Sequence, residues 1–223
     1  AAADSWDSRV YAINGASRRW LERIGAWQCL DRQRLQPVQN MRIRGDAGGV
    51  LDFAAPEAGL AQLATILESR ELQRALGQAL QACGNVTQLR GVAASEVTID
   101  AEAASLALAD GRCLRSRLLV GADGAQSWLR GALAIAPQVH DYQQFGVVAN
   151  FELERPHYAT ACQWFRADGE MAWLPLTGDR ISIVWSCPEN LKDELLGLDA
   201  QDFARRVAAA GAEQFGALRL ITS

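Results

Sequence analysis

Leu118-Leu119-Val120-Gly121-Ala122-Asp123-Gly124-Ala125-Gln126-Ser127-Trp128-Leu129-Arg130 is the stretch on which the reading of this chain turns. Leu118 to Val120 supply the apolar run of a short strand covered on both faces. Gly121 and Gly124 let the backbone turn sharply, or approach a ligand more closely than a residue with a Cβ could. Ser127 or Asp123 can cap the helical turn that follows, leaving N–H groups at a positive helix end that suits an anionic phosphate. An acid in such a turn can accept a hydrogen bond from a ribose hydroxyl, or hold a water against a pyrophosphate. The same letters also describe a plain strand–turn–helix corner with an Asp cap, because Gly-Asp-Gly clusters are common turn chemistry.

Composition around this stretch points to a globular α/β enzyme. The 223 residues are 49% apolar and 22% charged, which excludes disorder and allows a substantial core. A net charge of −4 argues against a nucleic-acid partner, which wants a basic face. No apolar run of about 18 residues exists to span a membrane. The opening Ala1-Ala2-Ala3-Asp4-Ser5 does not read as a signal peptide. The five cysteines, Cys29, Cys83, Cys113, Cys162 and Cys187, are scattered and show no Cys-x-x-Cys spacing. Reduced thiols in a cytoplasmic protein are the natural expectation, and no metal site is expected. The only histidines, His140 and His157, are read as surface loop residues flanking a strand. So few acids and bases suit an enzyme whose cofactor carries the chemistry, and no catalytic residue is assigned.

Periodicity places the elements. Ala16 to Trp27 carries Trp20, Leu21, Ile24 and Trp27 at helical spacing, and Arg70 to Ala82 is a second helix that stops at Gly84. Gln39–Arg44 and Val50–Phe53 alternate around Asp46-Ala47-Gly48-Gly49 as a hairpin. Val86–Leu89, Val97–Ile99, Ser105–Leu108 and Cys113–Leu114 read as short strands leading to the Asp-Gly stretch. Phe145–Leu153, Thr160–Phe165, Met171–Leu176 and Arg180–Trp185 read as a mainly antiparallel sheet, and Asp199–Gly211 as an amphipathic helix.

Val120-Gly-Ala-Asp-Gly-Ala-x-Ser-x-x-Arg130 resembles the Asp-Gly fingerprint of the para-hydroxybenzoate-hydroxylase class of flavin monooxygenases. Arg9-Val10-Tyr11-Ala12-Ile13-Asn14-Gly15-Ala16-Ser17, running on to Leu21–Trp27, is similar to the ubiquinone-biosynthesis hydroxylase branch of that class. Ile66–Leu76, Ala172-Trp173-Leu174-Pro175-Leu176 and Ile183-Val184-Trp185-Ser186 resemble the same branch, so the likeness runs from about Trp6 to Leu220. The family opens with a Gly-x-Gly-x-x-Gly turn that binds the FAD pyrophosphate, and that motif does not occur here. The family's later Gly-Asp motif also falls beyond Ser223. The chain is therefore expected to be the middle of a flavoprotein, and to bind FAD weakly by itself.

The resemblance implies a mixed α/β fold in which a partial Rossmann-like FAD-binding domain is interleaved with a mainly antiparallel substrate sheet. Residues 1–35, 58–90 and 112–133 would belong to the first, 36–57 and 138–198 to the second, and 199–223 would begin the return. It implies FAD as cofactor and reduced nicotinamide, NADH or NADPH, as co-substrate. The substrate would be the ring of a polyprenyl phenol, or of another small aromatic. A non-catalytic assembly subunit is the alternative from another class. By the same likeness the protein would be cytoplasmic, with peripheral contact at the inner face of the membrane or with a biosynthetic complex. Asp123, Gly124 and Gly121 are the expected cofactor contacts in the turn, and Arg9 is expected at the FAD pyrophosphate unless it forms a surface ion pair. Ser69 stands where the wider class contacts FAD, or is simply a helix cap. Trp173, Pro175 and Trp185 are assigned to the substrate pocket rather than to the sheet core. The Leu174 face of that strand is taken as the core, and Pro175 is taken to mark an edge or bulge.

Overall fold

The computed structural model describes residues 5–222. In chain order its elements are β1 (Val10–Asn14), α1 (Gly15–Arg23), β2 (Gln36–Val38), β3 (Asn40–Gly45), β4 (Val50–Ala54), β5 (Ala64–Glu68), α2 (Ser69–Gln81), β6 (Ala94–Ile99), β7 (Ala104–Leu108), β8 (Cys113–Ser116), α3 (Trp128–Ala132), β9 (Phe145–Leu153), β10 (Thr160–Arg166), β11 (Gly169–Leu176), β12 (Arg180–Cys187), α4 (Glu189–Gly197), α5 (Ala200–Ala210) and β13 (Leu218–Thr222). They form two compact bodies, one from the residues up to Gly84 and from Tyr142 onward, the other from Asn85 to Asp141. These bodies divide the chain differently from the expected domains: segments 5–35 and 58–84 pack in one body with the sheet strands, while the Asp123 turn lies in the other.

The first body is built on a seven-stranded sheet in the order β13-β9-β12-β11-β10-β3-β4. All its pairs are antiparallel except β10 with β3, so the sheet is mainly antiparallel, as the alternation predicts. One face is sealed by α4 and α5: Phe151, Trp173, Ile183 and Trp185 pack beneath Leu195, Phe203 and Val207. Helix α5 follows from its sequence. Asp199 caps it by accepting from the Gln201 and Asp202 N–H groups at 2.9 and 2.8 Å, and Phe203, Val207 and Ala210 form the stripe turned to the sheet. At one end of the opposite face, Leu174, Leu176, Ala161 and Met41 meet Val38, Ile66, Val10 and Trp6. This seam brings in a smaller antiparallel sheet, β1-β5-β2.

The second body is the antiparallel sheet β6-β7-β8, with β7 and β8 turning through Asp110-Gly111, followed by the single helical turn α3. Val86–Leu89 does not form a strand here. Leu118–Val120 forms none either, and Leu118 and Val120 are 76% and 72% exposed. An extended run becomes a buried strand only when neighbours take up its N–H and C=O groups. Among the described residues no strand lies beside this one, which corrects the doubly covered strand expected there.

One further correction concerns local chemistry. His157 is buried rather than on the surface: Nε2 donates to the Leu176 and Gly178 carbonyls, both at 2.8 Å, and Nδ1 accepts from the Ala159 N–H at 3.0 Å. With both ring nitrogens engaged, this imidazole braces a corner of the sheet.

Candidate functional site

The residues ahead of β1 fold onto the start of α2. The N–H of Ser69 donates to the Arg9 carbonyl at 2.9 Å, and the N–H of Arg70 donates to Asp7 Oδ2 at 3.0 Å. The residue in the N-cap place, Glu68, makes no side-chain cap, because its carboxylate is turned inward. It is 1% exposed, accepts from Arg34 Nε at 2.5 Å and Nη2 at 2.8 Å, and takes the Asp7 N–H at 2.6 Å. The hydrogen bond and charge of Glu68 raise the Arg34 guanidinium above its ordinary value, against the opposing effect of burial. Asp7 thus caps α2 from 63 residues away.

Arg9 is exposed, and its guanidinium has no partner among the described residues, so it is free to meet an anion rather than held in a surface ion pair. Ser69 is buried at the first position of α2, one place after the cap. Its hydroxyl lies 3.4 Å from the Tyr11 hydroxyl and accepts from Gln73 Nε2 at 3.2 Å. Arg9, Tyr11 and Ser69 therefore lie together at the rim of β1 and α2. The donor set fits part of a dinucleotide: one unpaired guanidinium for a pyrophosphate, with hydroxyls beside it. The first two N–H groups of α2 do not contribute, since Arg9 and Asp7 already take them.

The Asp123 turn, in the other body, is held by its own hydrogen bonds. Asp123 Oδ2 accepts from the Leu129 N–H at 3.1 Å, and Ser127 Oγ accepts from the Arg130 N–H at 3.0 Å. The Ser127 hydroxyl and the Leu129 N–H hold the Asp123 carboxyl below its ordinary value. A Cβ at Gly121 would lie 2.9 Å from the Leu129 Cδ2 tip, which would have to shift, while Gly124 is favoured as glycine by its φ of +87°. α3 spans five residues and its leading N–H groups are capped, so it is not the phosphate-binding helix end that the spacing suggested.

The pocket assignments of Trp173 and Trp185 are overturned by the sheet. Both are 0% exposed on the face covered by α4 and α5. Trp173 packs edge-on against Trp164 and beside Phe215, while Arg166 and Arg206 stack over Trp185. The Leu174 face, expected to be the core, is the one the helices leave uncovered. Pro175 is buried and lies past the last β10–β11 pair, Cys162–Trp173, where no ladder bond is asked of its nitrogen.

On the uncovered face, Val148, Val184, Ala172, Gln163 and Ile43 stand in one row across five strands and are half-buried. The next row leads into a cleft of about 460 Å³ lined by Phe165, Glu170, Ser186, Gln144 and Tyr142. Polar groups converge there: Ser186 Oγ donates to Gln144 Oε1 at 3.1 Å, and the Gln163 amide donates to Glu170. Phe165, Gln163 and Glu170 escaped the sequence reading. Their one signal in the sequence is that they share a face with Leu174, which the alternation assigns to the core. Among the described residues no group of His, Cys, Asp and Glu could hold a metal ion.

Comparison with known proteins accords with this geometry. Residues 2–217 match the family described as FAD binding domain. The ubiquinone hydroxylase UbiL of Rhodospirillum rubrum is 32% identical over 97% of this chain and 50% of its own length. The 3-demethoxyubiquinol 3-hydroxylase of Escherichia coli is 32% identical over 80% of this chain and 46% of its own length. Among solved structures, PqsL of Pseudomonas aeruginosa in complex with 2-aminobenzoylacetate superposes with a TM-score of 0.76 at 23% identity, over 94% of this chain and 61% of that one, which establishes the likeness of fold. The chain spans about half the length of the curated relatives it matches. It belongs to the FAD-binding-domain family, on the branch of the ubiquinone-biosynthesis hydroxylases.

Proposed function

We propose that this chain supplies the substrate sheet and part of the flavin site of an FAD-dependent hydroxylase acting on the ring of a polyprenyl phenol. The observation that carries this reading is the uncovered face of the seven-stranded sheet: a mostly apolar row that leads to a cleft with an aromatic wall and a few polar groups. Pockets for aromatic ligands have this make-up, mostly apolar with a few oriented hydrogen-bonding groups. Val148, Val184 and Ala172 would carry the prenyl substituent and exclude water, Phe165 would stack on the ring, and Glu170 or Ser186 would accept the ring hydroxyl. Arg9 would hold the FAD pyrophosphate, with Ser69 beside it; Asp123 and Gly124, in their own turn, are proposed as cofactor contacts on the resemblance alone. FAD, reduced by a nicotinamide, would supply the oxygen-activating chemistry when bound, while these residues orient the ring. Peripheral contact with a membrane belongs to the same reading, as the source of a prenylated substrate; no helix among the described residues is long and apolar enough to cross one.

Titration of the chain with 2-geranylphenol by isothermal calorimetry tests the wall. Ala172→Trp fills the row and should weaken binding about tenfold or more, a loss of about 1.4 kcal/mol or more. Trp185→Phe, altered on the sealed face, should bind as the parent does. Unchanged affinity in Ala172→Trp would remove the uncovered face from consideration.

A further inference from the structure

The structure assigns Asp7 and Asn150 as positioning residues that aim Arg9, an inference that rests on the proposed role of Arg9 at a pyrophosphate. Every polar function of Asp7 is engaged. Its N–H donates to Glu68 Oε1 at 2.6 Å, its carbonyl accepts from Asn150 Nδ2 at 3.0 Å, and its carboxylate takes the Arg9 N–H at 3.1 Å and the Arg70 N–H at 3.0 Å. Three parts of the fold thus meet at one residue: the β5–α2 junction, the strand β9 and the backbone of Arg9. Asn150 is 0% exposed in the middle of β9, two residues from Val148 of the proposed ring wall and on the same face. A buried amide costs stability unless its polar atoms are hydrogen-bonded, and the Asn150 amide nitrogen is satisfied by donating to the Asp7 carbonyl. Its Oδ1 accepts from no group among the described residues.

The result is an arginine with a fixed base and a free head. The Arg9 N–H and C=O are both bound, to Asp7 and Ser69, while its guanidinium is exposed and unpaired among the described residues. Holding the base lowers the ordering cost of closing that side chain on an anion. Nearby, the guanidiniums of Arg34 and Arg180 lie over the Trp6 ring at 4.4 and 5.4 Å, which anchors the segment ahead of Asp7. Asn150 makes this anchorage continuous with the sheet that would carry the substrate.

The test is nuclear magnetic resonance on the full ¹⁵N-labelled chain, titrated with inorganic pyrophosphate and followed at the Arg9 Nε–H and at the backbone amides of residues 9, 69 and 70, which also report on Arg9→Ala. Amide exchange of Arg9 and Arg70 is read in parallel, and exchange of the β9–β12 amides serves as the fold control. Asp7→Ala should speed exchange at both amides and weaken pyrophosphate about tenfold. Asn150→Ala should weaken it about threefold, and Asp7→Asn, which keeps one acceptor, should fall between the parent and Asp7→Ala. Should Asp7→Ala fail the fold control, Asp7→Asn and Asn150→Ser carry the test. If Arg9→Ala abolishes binding while the folded Asp7 and Asn150 variants bind as the parent does, the positioning inference is overturned and the reading of Arg9 stands. If Arg9→Ala leaves pyrophosphate affinity unchanged, that reading falls, and the inference with it.

Discussion

The two faces of the seven-stranded sheet are made by the same strands, residue about, yet they have come to different ends. One face carries Trp173, Trp185, Phe151 and Ile183 and is closed by α4 and α5. The other carries Val148, Val184, Ala172 and Gln163, is closed at one end by the β1-β5-β2 seam, and opens at the other into the cleft by Phe165. The bulkiest aromatics went to the sealed face, because burying a large ring away from water contributes most where no ligand has to enter and leave. The uncovered face, proposed for the ligand, has smaller side chains and more polar ones. Aromatic richness alone therefore marks the wrong side of this sheet.

The largest effect expected from the comparison lies on the sealed face. Trp173→Ala should destabilise the chain by about 3–5 kcal/mol in urea unfolding, the usual cost of emptying a core ring. Gly211, which ends α5, is fitted to that ring: a Cβ there would lie 2.2 Å from Trp173 Cζ2. Gly211→Ala should cost about 1–3 kcal/mol by overpacking, and much less when combined with Trp173→Ala. Equal costs in both backgrounds would mean that Trp173 does not pack as described.

A smaller effect concerns pH. Arg166, stacked over Trp185, pairs with Asp168 at 2.7 Å, and this hydrogen bond holds the Asp168 carboxyl below its ordinary 3.8. A depressed acid stabilises the fold above its unfolded value, and that contribution is lost as pH falls through its lower folded value. The urea midpoint should hold steady from pH 7 to about 5 and decline below about 4, and Arg166→Gln should flatten the decline. A midpoint that falls equally in both proteins would assign the acid sensitivity elsewhere.

The smallest effect is one of chemical access. Cys162 belongs to the sealed core, and burial pushes its thiol up to about 11. Because the thiolate is the nucleophile, Cys162 should stay unmodified by iodoacetamide near pH 8, while the exposed Cys83 and Cys113 react. Labelling of Cys162 at their rate, in folded protein, would show that the sealed face is not sealed.

Strands β9 to β12 and helices α2 and α5 could be read from the sequence because their signals are local: alternation, a helical stripe, a capping Asp199 or a stopping Gly84. β1 and β5 could not, since each depends on pairing with the other across some 55 residues and neither alternates cleanly. Which face of β11 is buried is likewise decided outside β11. Leu174 and Trp173 both qualify as core letters, and only the placement of α4 and α5 separates them. The Asp-Gly stretch shows the opposite limit. Its glycines and its Asp cap are where the letters place them, but Leu118–Val120 is apolar without being covered, because burial of a strand is a property of its neighbours. At the start of α2, the letters marked Arg9 and Ser69. The residues that hold them, Asp7 and Asn150, give no signal beyond a polar side chain in an unexpected place.

The central claim, that an aromatic ring lies on the uncovered face, is tested most directly by intermolecular nuclear Overhauser effects between 2-geranylphenol and the ¹³C,¹⁵N-labelled chain. The account predicts cross-peaks from ring protons to Phe165 and from prenyl methyls to Val184, Val148 and Ala172, with none to the indole N–H of Trp173 or Trp185. Cross-peaks to those two indoles, with Phe165 and Val184 silent, would contradict it.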